Sequence, residues 1–327
     1  MQTNAVEMSW SAPARIRIGV SSCLLGQEVR YDGGHKRDAF LAETFGRHVE
    51  WVPVCPEVEL GLGTPREPVR LERQGDEIRM VGTRTHTDHT TAMHRFGRQR
   101  VAALGMEDLG GYVLKKGSPS CGMERVRVYG TGGMPSRSGR GLFAEVLLQR
   151  YPNLPVEEEG RLCDPRLREN FVERVFAYRR LRSFFSDRWT LGGLVAFHTA
   201  HKLQLLAHST STYAELGRLV AGAKARSRTE LRDRYAARFM GALRIPATPR
   251  RHVNVLQHIV GYFKKQLDDT SRRELLSLIE DYGSGLVPLV VPITLVRHYV
   301  RRLDVAYLKG QVYLEPHPKE LMLRNHV

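Results

Sequence analysis

Three short apolar runs in this chain each stop at, or just before, a cysteine. Ile16-Arg17-Ile18-Gly19-Val20-Ser21-Ser22 runs into Cys23, and Val49-Glu50-Trp51-Val52-Pro53-Val54 runs into Cys55. Gly111-Tyr112-Val113-Leu114 leads into Lys115-Lys116-Gly117-Ser118-Pro119-Ser120-Cys121-Gly122. Gly, Pro and Ser punctuate the backbone there, so each run reads as a strand that ends in a fixed turn. In an open α/β sheet, groups just past the carboxyl ends of parallel strands converge on one crevice. The three thiols are therefore expected to meet in space although they lie far apart along the chain.

The intervening sequence supplies the helices that such a sheet needs. A helix is expected over Asp38 to Arg47 with Phe40, Leu41 and Phe45 inward, and another through Met93, Phe96, Val101 and Leu104, capped by Asp88 or Thr90. Val69–Leu71 and Ile78–Val81 read as a hairpin. Gly130 to Gly141, with five glycines, Pro135, Arg137 and Arg140, reads as a lid or a loose connection. A helix over Leu142 to Arg150 and a strand near Leu154–Val156 complete a doubly wound α/β domain of Rossmann-like or flavodoxin-like type, residues 14–160.

From Asp164 onward the period is helical. Phe171, Val175, Tyr178 and Phe185 recur at helical spacing, and Thr212-x-x-Glu215 and Ser271-x-x-Glu274 have the form of capping boxes. An all-helical domain is expected over 165–320, with later helices near 191–207, 213–224, 227–243, 250–267, 272–283 and 289–306.

Charge divides the two halves. The formal net charge is +15, with 21 Lys and Arg against 20 Asp and Glu in residues 1–160 but 29 against 15 in residues 161–327. An excess of +14 confined to the helical half reads either as a solvated basic surface or, more sharply, as the footprint of a polyanion partner, nucleic acid rather than membrane because no compact polybasic segment flanks an amphipathic anchor. Lys202, Arg226, Arg228, Arg250, Arg251, Lys264 and Lys265 are the candidate phosphate contacts. The first dozen residues read as disordered. Met1 to Arg15 lacks the apolar stretch of a signal peptide, so a cytoplasmic protein is expected.

Four cysteines in 327 residues do not make a disulfide framework, which leaves metal or catalytic use. Three thiolates on one crevice suit zinc, an iron–sulfur cluster, or a nucleophile with a resolving partner. No Cys-x-x-Cys knuckle occurs, and three ligands are one short of a closed site. Cys163, in Leu162-Cys163-Asp164-Pro165, reads as an incidental thiol at the domain junction. His198 and His201 share a helix face without a nearby carboxylate or cysteine, and read as core-facing or RNA-contacting rather than metal-binding.

Val20-Ser21-Ser22-Cys23-Leu24-Leu25-Gly26, Arg30-Tyr31-Asp32-Gly33-Gly34, Val54-Cys55-Pro56-Glu57 with Gly63-Thr64-Pro65-Arg66, and Gly117-Ser118-Pro119-Ser120-Cys121-Gly122 together resemble the thiouracil desulfidase family over residues 14–160. The remainder resembles a helical domain of long-unknown function often fused to it, through Phe197-His198-x-x-His201-Lys202, Leu206-Ala207-His208 and Gly261-Tyr262-Phe263-Lys264. The fusion resembles bacterial desulfidases that convert 4-thiouridine in tRNA to uridine.

This resemblance implies a 4Fe-4S cluster held by Cys23, Cys55 and Cys121, with the fourth iron open to the substrate's sulfur. It implies Glu57 as the base that serves an attacking water and Ser118 as its positioning or relay group, with Glu59 and Ser120 as substitutes. The structural alternatives are that Glu57 only caps a helix or pairs with Arg66, and that Ser118 only shapes its turn. Two other readings stand beside it: a desulfidase of free thiolated nucleobases or nucleosides, and a nucleic-acid-binding protein with a structural metal site.

Overall fold

The computed structural model describes residues 15–130, 134–186 and 188–327. Two units divide between Asp164 and Pro165. In the first, strands β1 (Ile16–Ser21), β2 (Val49–Val54), β3 (Val69–Gln74), β4 (Glu77–Gly82), β5 (Gly111–Leu114), β6 (Val126–Tyr129), β7 (Ser136–Gly139) and β8 (Val156–Glu158) fall into two four-stranded sheets.

The first sheet has the order β2-β1-β5-β8 and every pairing in it is parallel. All residues of β5 and β8 are buried, the pattern of a parallel sheet covered on both faces. The strand order reverses between β1 and β5, which makes their carboxyl ends the switch point of the sheet. Gly19 lies opposite Tyr112 there, and a Cβ at Gly19 would stand 2.1 Å from that ring. Only glycine lets the aromatic ring lie flat on β1.

Helices α1 (Pro56–Glu59), α2 (Thr90–Leu104) and α3 (Leu142–Arg150) belong to this unit. Met93, Gly97, Val101 and Leu104 form the buried stripe of α2. Neither residue expected to cap it is the N-cap, which is His89 without a side-chain cap; Asp88 Oδ1 accepts from the Thr90 amide at 2.8 Å just outside the helix, and Thr90 Oγ1 accepts from the Met80 amide of β4 at 2.9 Å. The helix expected over Asp38 to Arg47 is irregular, a π turn at Phe40–Thr44 followed by a tight turn at Phe45–Arg47. Leu41 and Phe45 are buried as expected, with Phe45 edge-on to Trp51 at 5.7 Å.

The second sheet, β4-β3-β6-β7, contains the expected hairpin as the antiparallel pair β3 and β4. Beyond it, β6 joins β3 in parallel through Leu71 and Val128, and β7 joins β6 antiparallel. Part of the glycine-rich stretch is thus strand rather than lid, while Thr131–Gly133 and the first fourteen residues lie outside the described residues.

The second unit is helical, with α4 (Pro165–Ser186), α5 (Leu191–Ala200), α6 (Lys202–His208), α7 (Thr210–Ala221), α8 (Arg228–Leu243), α9 (Pro249–Tyr262), α10 (Asp269–Gly283), α11 (Val290–Arg302) and α12 (Ala306–Lys309). The expected capping boxes, at Thr212 and Ser271, sit three residues after the true N-caps, Ser209 and Asp268. Ser209 Oγ accepts from the Thr212 amide at 3.2 Å and Asp268 Oδ1 from the Ser271 amide at 2.8 Å, so α7 and α10 each begin three residues earlier than expected. The stretch expected to be helical over 191–207 breaks at His201 into α5 and α6, and α9 stops at Tyr262, five residues short of its expected end. One core gathers Leu181, Phe197, Leu205, Tyr235 and Phe239, and another Val255, Ile259, Phe263, Leu275, Ile279 and Val296. Among the described residues no helix is long and apolar enough to cross a membrane.

Candidate three-cysteine site

Each thiol is set by the turn that ends its strand. Cys23 follows β1 in a tight turn, Ser22–Leu25, closed by Gly26 at φ +94°, whose amide donates to the Cys23 carbonyl at 3.3 Å. Cys55 follows β2 as the N-cap of α1, with Pro56 at the first helical position, and its amide donates to Glu59 Oε1 at 3.1 Å. Cys121 follows β5 in a turn held by Ser118, whose Oγ accepts from the amides of Ser120 and Cys121 at 3.3 and 3.1 Å. Gly141 passes so close behind that turn that a Cβ there would stand 2.4 Å from the Ser120 carbonyl oxygen.

Cys23 and Cys121 are buried, Cys55 is partly buried, and none is in a disulfide. Burial pushes the Cys23 thiol up to about 11, with Lys115 and Arg30 pulling it down and Cys55 pushing it further up. Burial likewise raises Cys55. It lifts Cys121 well above the ordinary thiol range, opposed by a hydrogen bond with Ser21 and reinforced by Glu57, Cys55 and Cys23. Cys55 thus disfavours ionisation of Cys23, and Cys55 and Cys23 together disfavour that of Cys121. A set of buried thiols that resist joint ionisation becomes stable as thiolates when a strongly positive centre sits among them.

The carboxylate next to this set is oriented on both sides. Arg66 donates to Glu57 Oε2 through Nε at 3.1 Å and Nη2 at 2.6 Å, while its Nη1 donates to the Val29 and Gly63 carbonyls at 3.0 and 2.8 Å. The other carboxylate oxygen, Oε1, accepts from Ser120 Oγ at 2.5 Å. Ser120 Oγ in turn lies 3.0 Å from Ser118 Oγ. Of the sequence-predicted groups, Glu57 therefore contacts Ser120 directly and reaches Ser118 through it. Glu59 is held on both oxygens, Oε1 by the Cys55 amide and Oε2 by Arg100, whose Nε donates to it at 2.9 Å.

Other candidates are placed as follows. Cys163 is exposed, its thiol 3.8 Å from the Glu159 carbonyl. His198 is buried, stacked on Tyr213 and 3.2 Å from the Tyr235 hydroxyl, and His201 is fully buried against the Phe197 ring. Arg226 is engaged with the Gly222 carbonyl at 2.9 Å and with Glu230, and Arg228 covers the Trp189 ring at 4.5 Å. Lys202 is partly buried at the start of α6, Arg250 and Arg251 lie in the first turn of α9, and Lys264 and Lys265 are exposed in the turn that follows it.

Three residues near the thiols were not singled out as site residues: Ser21, Arg30 and Lys115. Ser21 Oγ accepts from the Lys115 amide at 3.0 Å, tying the ends of β1 and β5 together, and the Lys115 ammonium is ion-paired with Glu159. The available signal was position: Ser21 and Lys115 stand at the ends of β1 and β5, and Arg30 lies in the motif Arg30-Tyr31-Asp32-Gly33-Gly34.

A parallel sheet whose switch point presents two buried thiols, a third that is partly buried, and an arginine-paired carboxylate defines an α/β domain with a candidate thiol-lined site, here joined to a separate helical domain. A family described as 2-thiouracil desulfurase matches residues 18–159, and one described as protein of unknown function (DUF1722) matches residues 202–318. An uncharacterized protein, YbgA of Escherichia coli (strain K12), is 35% identical over 161 residues, 49% of this chain and 95% of the relative. Another, YbbK of Bacillus subtilis (strain 168), is 31% identical over 137 residues, 40% of this chain and 89% of the relative. A solved structure described as a 4Fe-4S-dependent thiouracil desulfidase, TudS, is 36% identical, covering 46% of this chain and 94% of its own, with a TM-score of 0.37. The chain belongs to the 2-thiouracil desulfurase family through its N-terminal domain, with a DUF1722 domain fused behind it.

Proposed function

We propose that this protein is a cytoplasmic desulfidase that converts 4-thiouridine in tRNA to uridine, with a 4Fe-4S cluster on Cys23, Cys55 and Cys121 and the helical domain holding the RNA. The observation that carries the reading is the joining of Glu57 to Ser120, the residue before Cys121, beside three thiols, two of them buried, that lie near one another.

The residues suit such a cluster. Among the described residues no three of His, Cys, Asp and Glu gather round one point as a single metal ion would require, whereas a cluster spreads its ligands over several irons. The donors are thiols alone, a soft set that suits an iron–sulfur cluster as well as other thiophilic metals. When bound, the iron left without a cysteine supplies a Lewis-acid position for the thiocarbonyl sulfur.

The protein's own groups supply the proton chemistry. Oε2 of Glu57 is fixed by Arg66, so Oε1 is the oxygen free to work through Ser120. Glu57 takes a proton from water, directly or across the Ser120 hydroxyl, as the water oxygen attacks C4 of the base. That proton then leaves with sulfur. Water supplies oxygen to the product and two hydrogens to hydrogen sulfide, and no electrons are exchanged. The +14 excess in residues 161–327 supports RNA as the carrier of the base.

The family description favours a second reading, a desulfidase of free thiolated bases. Anaerobically prepared protein incubated with bulk tRNA, free 4-thiouridine and 2-thiouracil separates the two. Loss of thiocarbonyl absorption from tRNA, with little from the small molecules, is expected. Loss from the small molecules alone would replace the tRNA reading, and loss from none would remove the desulfidase reading.

A further inference from the structure

The helical domain contains a cavity of about 760 Å³, within the ~300–1,000 Å³ usual for small-molecule sites. One face of α11 lines it, together with the irregular stretch 309–325 and Arg180 of α4. Six cationic side chains, Arg180, Arg297, Arg301, Lys309, Lys319 and Arg324, meet two carboxylates, Glu315 and Glu320, in this lining. Arg297 is paired with Glu315, and Lys309 with Asp304. Arg301 and Lys319 are exposed and have no ion-pair partner among the described residues.

Two of the cations are built into the wall. Arg180 and Arg324 are 5% and 7% exposed. Arg180 Nη2 donates to the Pro316 carbonyl at 2.5 Å, and burial pulls this guanidinium down to about 10, with Glu173 the charge that opposes the fall. Arg324 donates through Nε to Glu169 at 2.9 Å and through Nη1 to the Tyr313 carbonyl at 2.8 Å, while its buried Nη2 finds no hydrogen-bond partner among the described residues. Buried guanidinium groups are costly unless their charge and donors are met. Apolar side chains, among them Val290, Ile293 and Leu323, complete the lining and offer a surface for an organic body.

We propose that this cavity binds a small phosphomonoester, a terminal phosphate carried on a body of nucleoside size. Such a phosphate brings close to two charges and three strong acceptor oxygens at neutral pH, which guanidinium forks engage in pairs. A phosphodiester linkage brings only one charge. The site is independent of the desulfidase reading and would stand if that reading failed.

Calorimetric titration of the full-length protein with uridine 5′-monophosphate, uridine, inorganic phosphate and a short oligoribonucleotide without terminal phosphates tests it. The monophosphate is expected to bind at least tenfold more tightly than each of the others. The surface pair Arg301→Gln and Lys319→Gln should weaken it at least tenfold with the helical circular dichroism unchanged. Arg324→Lys, which keeps a cation beside Glu169 but loses the fork, should weaken it as well. The proposal is overturned by absence of monophosphate binding, by binding that neither variant alters, by inorganic phosphate binding equally well, or by the oligoribonucleotide binding as tightly.

Discussion

The Arg66 guanidinium donates twice to a single oxygen of Glu57, at 3.1 and 2.6 Å, and leaves the second oxygen to a different partner. A fork that gripped both oxygens would have made Glu57 purely structural. Here the pairing orients the carboxylate and leaves one oxygen facing Ser120. Glu57→Gln should therefore lower the desulfuration rate by about 10²–10⁴, the usual contribution of a positioned base, while the protein keeps its visible absorption. A variant that retained full rate would remove Glu57 from the chemistry.

The two serines of the Cys121 loop should separate by readout. Ser120→Ala removes the hydroxyl between Glu57 and Ser118 and should slow turnover with little loss of bound iron. Ser118→Ala removes the acceptor for two loop amides and should lower iron content first. Iron analysis beside rates distinguishes these outcomes, and equal effects on both quantities for both variants would contradict the division.

Replacing Cys23, Cys55 or Cys121 by Ser should abolish the brown colour and iron of anaerobically purified protein, whereas Cys163→Ser should leave both unchanged. Colour lost with Cys163→Ser would make that exposed thiol a fourth ligand and close the iron intended for sulfur.

Lys264 and Lys265 are exposed in the turn after α9. Reversing both charges should weaken tRNA binding and reduce the slope of log affinity against log salt by up to about 2, given roughly 0.9 per phosphate contact. An unchanged slope would place the RNA elsewhere on the domain.

The helical domain should be sensitive to acid. Burial lowers His198 to about 4, His201 to about 3 and His252 to about 4, so the folded protein keeps these rings neutral at pH values where the unfolded chain protonates them at about 6.5. The stability that each carries is present above about pH 6.5 and is lost as pH falls toward 4, on the order of a few kcal/mol apiece. His208 runs the other way: although burial lowers it, Glu173 raises it by more, so its contribution is full below about 6.5 and fades as pH rises through the raised value. Thermal melts followed by circular dichroism should show highest stability near neutrality and a steep loss below pH 6. A flat profile from 7 to 4 would contradict the assignment.

Much of the site was legible because its parts sit at strand ends. A cysteine that follows an apolar run and a Gly/Pro-rich turn has few places to go, and β1, β2 and β5 end where the turns indicate. What spacing could not reveal was the choice between hydroxyls two residues apart: Ser118 accepts from the loop's own amides, and only a folded turn shows that Ser120 reaches Glu57. Nor could charge counting separate Arg228, stacked on Trp189, from Lys264, which faces solvent. The second sheet was half hidden because β6 and β7 are four residues each and one lies in a glycine-rich stretch.

That second sheet has a consequence for how the three-cysteine site is assembled. The Cys55 loop leaves β2 and enters β3, the Cys121 loop leaves β5 and enters β6, and β3 pairs with β6. Both loops are therefore tethered at each end, like spans between two piers. Neither span has its final shape until both sheets have closed, so the proposed cluster would be captured only at the end of folding, and a chain trapped halfway would present thiols without a nest to receive it.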